Sequence, residues 1–284
     1  MPPAGDAPGR PHRRGKGARE AGKARGRTME DHVTPKERMF KALLGETPDR
    51  VPAAPAYLSL FLADQERTCY IEQYRRRMRG RSRYPVNHRE DTQFRARALC
   101  ESYDLFKDRP DWMEIHQGAS RAWAERTEIV SQDGLLYYED LESGVRVPMR
   151  EAPLPCGEAQ LTAASRSTAD VWDISAQLRD QDDADARLPI VSADELLARG
   201  DYDLPQEIVA RSGDRVFLST ILDTPFSDAY DLLGFQGLML IQHDQPALFH
   251  HLLQRKLAQT QQVMRAWAAV GVHGVYVEEV FTGA

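Results

Sequence analysis

Three short apolar runs end in side chains that can move protons or bind cations. Asp111-Trp112-Met113-Glu114-Ile115-His116 ends in an imidazole. Arg215 to Ile221 is followed by Asp223-Thr224-Pro225-Phe226, and Gly274-Val275-Tyr276-Val277 runs into Glu278 and Glu279. Acids and imidazoles at the carboxyl ends of parallel strands act as general acids or bases, or as ligands of a metal. His116, Asp223, Glu278 and Glu279 are therefore the candidate catalytic residues. Each has a plainer use: a strand-end histidine can be structural, and Asp223 is either a strand-end acid or the N-cap of the next helix. Glu114 and His116 share a strand face by period two, and of Glu278 and Glu279 one points inward and one outward. Asp111, which opens the first run, is a candidate for substrate binding. No phosphate-binding loop, dinucleotide fingerprint or HExxH zinc motif is present.

Helices and turns must position these ends. Thr34-Pro35-Lys36-Glu37 is a capping box, with Met39, Phe40, Leu43 and Leu44 as the buried face and Gly45 as the stop. A proline-flanked turn then leads to Val51–Leu60, read as a first barrel strand. Residues 70–83 read as a helix bearing Arg75, Arg76, Arg77, Arg79, Arg81 and Arg83. Six guanidiniums can grip a polycarboxylate or phosphate by forked bonds, or simply be a solvated face. Phe94, Ala98, Leu99 and Tyr103 mark a helix over 90–106. Alternation over 123–149, broken by Asp133-Gly134, predicts an antiparallel hairpin excursion. Residues 148–170 read as loop-rich, with short helices around 194–197 and 205–210. Leu248, Phe249, Leu252, Leu253, Leu257, Val263, Met264 and Trp267 form the apolar face of a long helix from Pro246, stopped by Gly271. Gly274–Val280 then reads as a buried strand.

Composition narrows the classes. Net charge is −6, but residues 1–28 carry eight Lys and Arg against Asp6 and Glu20, so the remainder carries −12. An acidic body argues against nucleic acid as the main partner. Residues 1–28 read as a disordered basic leader, with Met29 opening the structured part, 29–284. No apolar run approaches the ~18 residues of a membrane span. Cys69, Cys100 and Cys156 are odd in number and show no CxxC pairing, which suits a reducing cytoplasm.

Thr34 to Pro52, TPKERMFKALLGETPDRVP, resembles the opening of the uroporphyrinogen decarboxylase superfamily. Pro225 to Ala284 is similar to the same superfamily: a proline turn, Tyr230 and Gly234, a D-x-P helix start at Asp244, then a long helix and strand. The resemblance implies an α/β fold of the TIM (β/α)8 type, incomplete here because about five barrel strands are legible where eight are needed. It also implies a substrate-binding role for Tyr230, in a Y-x3-G whose spacing from Pro225 is one residue short. The arginine-rich segment of the true decarboxylases is missing after the first strand. That departure favours the branch that transfers methyl from a corrinoid carrier to a thiol, over tetrapyrrole decarboxylation in porphyrin biosynthesis. A third reading is a non-catalytic truncated barrel. The partners implied are a corrinoid protein or a tetrapyrrole, with no nucleic acid and no membrane, and homo-oligomerisation is left open. No metal ligands are expected within this chain. The zinc that activates the thiol in the methyl-transfer branch would need residues beyond Ala284.

Overall fold

The computed structural model describes residues 33–55, 58–106, 109–150 and 178–278. The leader, Cys156, Glu279 and most of 148–170 lie outside them.

The chain opens with helix α1 (Pro35–Leu43), whose capping box forms as expected: Thr34 Oγ1 accepts from the Glu37 backbone at 3.2 Å, and Glu37 returns a bond to the Thr34 backbone at 2.8 Å. Its inner face differs from the expected one. Arg38 and Met39 are buried, while Leu43 and Leu44 are exposed, because α1 docks by its first turns, with Lys36 bonded to the carbonyls of Arg215 and Gly213.

The expected strand Val51–Leu60 is not a strand. Residues 51–55 are extended without a ladder, and from Leu58 the chain is helical, α2 (Leu58–Met78). Pro52 and Pro55 have no backbone N–H to give a ladder, and one backbone bond, Asp111 N to Ala53 O at 2.7 Å, ties the segment to its neighbour.

After α2 come β1 (Arg83–Pro85), α3 (His88–Asp104), β2 (Trp112–Glu114), α4 (Arg121–Glu125), β3 (Thr127–Gln132), β4 (Leu135–Asp140) and β5 (Arg146–Pro148). The second half holds α5 (Gln181–Arg187), α6 (Ala193–Arg199), α7 (Asp203–Ser212), β6 (Phe217–Asp223), α8 (Pro225–Asp244), α9 (Pro246–Val270) and β7 (Gly274–Glu278). The predicted hairpin is β3–β4. Asp133 (φ 51°) and Gly134 (φ 77°) both take positive φ, as a two-residue turn matched to strand twist requires. Strands β1 and β5 complete an antiparallel sheet of order β1-β3-β4-β5.

The second sheet is parallel, in the order β2-β6-β7. Met113, Ile115 and Leu218 pack on one of its faces against Ala96 and Leu99 of α3 and Trp267 of α9. Tyr202 meets Trp267 edge-on at 5.1 Å in the same core. A second core joins α2, α3 and α4 to the antiparallel sheet around Trp123, Tyr138 and Tyr74, and a third lies among α5, α8 and α9. The α8 stretch breaks at Gly234 (φ 67°, ψ 170°), a conformation open to glycine because it has no Cβ.

Two expectations about the last elements are corrected. Leu257 and Met264 of α9 are exposed, and so are Tyr276 (42 %) and Val277 (52 %) of β7. Strand β7 is therefore an edge, with β6 as its one partner among the described residues. The fold is a mixed α/β one, and no closed barrel forms among the described residues.

Candidate functional site

Alternation along the parallel strands separates their side chains. Met113, Ile115 and Leu218 turn to the helices. Glu114 and Ser219 pair in register and point the other way, followed further up by Ile221 with Tyr276 and then Asp223 with Glu278. The polar residues thus climb one face towards the carboxyl ends. Ser219 is buried, and its hydroxyl has no hydrogen-bond partner among the described residues.

The strongest constellation stands at the end of β2. His116 Nε2 lies 3.0 Å from Glu114 Oε1; the Glu114 side chain is buried and that of His116 one-third exposed. A buried carboxylate behind a histidine fixes the ring and its tautomer. Glu66, on the neighbouring stretch of α2, joins them. Burial pushes its carboxyl up to about 7, although Arg95, His116 and Arg67 all pull the other way. Desolvation thus outweighs the neighbouring basic side chains, and a carboxyl that titrates near neutrality is suited to proton transfer.

Arg95 is held there by a buried network. Asp91 Oδ2 accepts from Arg95 Nε at 2.7 Å, and Asp91 Oδ1 accepts from Tyr70 and from Tyr74, the latter at 2.8 Å. Tyr138 donates to Tyr70 Oη at 3.0 Å, and Arg95 lies 4.7 Å from the Tyr70 ring centre in cation–π contact. Burial raises both Tyr70 and Tyr74 well above the ordinary phenol value, so both hydroxyls stay protonated and donate. The α3 helix that carries Asp91 and Arg95 is started by Asn87, whose side chain accepts from Glu90 N at 3.0 Å.

The other sequence candidates divide. Asp223 and Glu278 come together in register at the end of β6 and β7. Asp223 is not the N-cap of α8: Thr224 takes that place and accepts from Ser227 N at 3.3 Å. Asp228 lies close by, and its carboxyl is raised by burial against Lys256, with Asp223 and Asp231 adding to the rise. Glu279 lies outside the described residues. Asp111 sits at the amino end of β2, away from His116. It is fully buried, bonded to Arg38, to Arg50 at 2.8 Å and to Ala53 N at 2.7 Å. Its carboxylate is consumed in tying α1 and the 51–55 segment to the sheet. Tyr230 packs with the α5–α8–α9 core. No cluster of three His, Cys, Asp or Glu able to hold a metal occurs among the described residues, and Cys69 and Cys100 are free thiols.

Comparison of the chain with protein-family models finds no match, and comparison with curated proteins finds none. The functional reading therefore rests on the site itself. Glu66, Asp91 and Arg95 were missed by sequence reading. Their signals were weak: Glu66, Tyr70 and Tyr74 at four-residue steps on α2, and Asp91 with Arg95 at i,i+4 on α3. No helix among the described residues is long and apolar enough to cross a membrane.

Proposed function

We propose that this chain belongs to an enzyme of the uroporphyrinogen decarboxylase superfamily type, with proton-transfer chemistry at the carboxyl end of a (β/α)8-type sheet. The parallel strands follow chain order, β2-β6-β7, and the extended 51–55 segment lies beside β2 where a preceding strand would stand. Sequential parallel neighbours with helices on one face are the pattern of a barrel wall, and this supports the barrel reading.

The observation that carries the functional reading is the Glu114–His116 pair beside Glu66. With Nε2–H donating to Glu114, His116 keeps its lone pair on Nδ1, the atom that accepts a proton. In methyl transfer from a corrinoid carrier to a thiol, that atom would take the thiol proton, leaving the thiolate sulfur to accept the methyl group as its bond to the carrier breaks. The zinc set implied by the resemblance is not assembled by the described residues, so no step is assigned through it.

The test is methylcobalamin demethylation with a small thiol and zinc supplied, followed spectroscopically. Turnover is expected, with His116→Ala slowed about a hundredfold. Turnover undiminished in H116A removes His116 from the mechanism, and no turnover in any arm leaves the non-catalytic barrel as the reading. Tetrapyrrole decarboxylation is the second reading, favoured by one observation: a carboxyl near neutrality beside Arg67 and Arg95 suits a carboxylate-bearing substrate. Uroporphyrinogen decarboxylation is expected to be absent, and product formation would reverse the order of the two readings.

A further inference from the structure

Most arginines of α2 and β1 have acidic partners. Arg75 pairs with Glu72 at 2.6 Å, and Arg83 of β1 with Glu128 at 2.7 Å and with Glu139. Several described arginines have no carboxylate within ion-pair distance among the described residues, and three of them stand together: Arg76 at the end of α2, Arg79 just after it, and Arg97 on α3. All three line one groove of about 250 Å3 between α2 and α3, with Gln73, Arg77 and Phe94. Arg77 turns to Glu90 at 2.7 Å and to Tyr84 at 3.0 Å.

The groove has a built wall. Gln73 donates to the Phe94 carbonyl at 2.9 Å, bracing α2 against α3, and the Phe94 ring stands edge-on to buried Tyr74 at 5.2 Å. Arg79 takes φ 48°, a left-handed conformation that costs a side-chain-bearing residue energy and ends the helix at the groove. The neighbouring cavity makes the contrast. It is of similar size, about 260 Å3, and lined by Asp64, Arg67, Thr68, Ile71, Arg75 and Arg150. There Asp64 faces Arg67 at 3.2 Å and Arg75 is neutralised by Glu72, which leaves one arginine, Arg150, without a carboxylate among the described residues.

An acidic body that gathers three guanidiniums without a carboxylate among the described residues around one concave, aromatic-walled space has an anion-recognition geometry. We infer that the α2–α3 groove binds the phosphoryl groups of a small phosphate-bearing molecule of the diphosphate type, through Arg76, Arg79 and Arg97. Guanidinium forks match phosphoryl oxygens bidentately, and Phe94 offers an apolar wall to the rest of the ligand. The groove is separate from the His116 site: twelve residues of α2, Arg67 to Met78, lie between Glu66 and Arg79, and thirteen steps span roughly 20 Å at the helical rise.

Isothermal titration of the full chain with inorganic pyrophosphate, at constant ionic strength, tests this. Saturable binding of one pyrophosphate per chain is expected. Arg76→Gln with Arg97→Gln should weaken it by roughly tenfold or more, whereas Arg75→Gln should leave it unchanged. Circular dichroism checks that the double variant is folded, and the single Arg97→Gln variant serves if it is not. The basic leader is a rival site for anions, but its binding would be untouched by these substitutions. Binding that is equal in wild type and double variant, or no saturable binding, overturns the inference. A single-stranded oligonucleotide that binds more tightly than pyrophosphate and is weakened equally by R75Q would also overturn it, as a diffuse polyelectrolyte surface.

Discussion

Two acidic residues show how the same functional group is put to opposite uses. Glu66 is desolvated and keeps its proton to about pH 7, against the ordinary 4.5. Between those values the folded chain binds more protons than the unfolded one, so this group lowers stability as pH rises through the interval and has its full cost above it. Glu66→Gln should abolish that contribution, about 2 kcal/mol after allowance for partial exposure. Urea denaturation from about pH 5 to pH 8 would show a shallower decline in the variant, and an unchanged slope would assign the titration elsewhere. Asp111 is the reverse case, a buried carboxylate fully committed to Arg38, Arg50 and a backbone amide. Asp111→Asn strands buried positive charge and should cost on the order of 3 kcal/mol. A loss below about 1 kcal/mol in the denaturation midpoint would show that the ion cluster is replaceable.

At the scale of elements, the junction of α1, β6 and β7 turns on His273. Its Nδ1 accepts from Leu218 N at 2.9 Å, its backbone N–H donates to Leu218 O at 2.9 Å, and its ring stands 5.8 Å from Phe40 and 5.6 Å from Phe217. Burial, with Lys36 nearby, lowers its pKa below the ordinary 6.5. The folded chain thus binds fewer protons at this group than the unfolded chain does. The stabilisation is complete above about 6.5 and is lost as pH falls through the depressed folded value. Protonation at Nδ1 also removes the acceptor for Leu218. His273→Gln is expected to flatten the acid limb of a thermal-stability profile, and a limb as steep as the wild type's would count against His273 as its source.

At the scale of the whole molecule, the described residues leave an apolar margin. Tyr276 and Val277 of β7, Leu257 and Met264 of α9, and Phe235 and Leu240 of α8 are all exposed. An uncovered edge strand is a template for pairing with another chain. Val277→Lys is expected to suppress concentration-dependent association in light scattering without shifting the melting temperature. Equal scattering from variant and wild type would place any self-association elsewhere. The margin also suits the proposed barrel wall, since further strands would pair with β7 and cover it.

Local signals were legible in the sequence by itself. The capping box at Thr34, the Asp133-Gly134 turn, the helices 90–106 and 246–270 and the strand ending at Asp223 depend on residues within a turn or two of each other, so spacing alone announces them. The pairing of His116 with Glu114 was legible for the same reason, through strand alternation. Tertiary structure decided what depends on distant partners. Burial in the folded chain, rather than the local sequence, gave Glu66 its near-neutral carboxyl. Asp111 went to the fold because Arg38 and Arg50, some sixty to seventy residues away, close on it. Which faces of α9 and β7 are covered was likewise decided by packing, because an apolar periodicity marks a face that can be buried but carries no record of what is there to bury it.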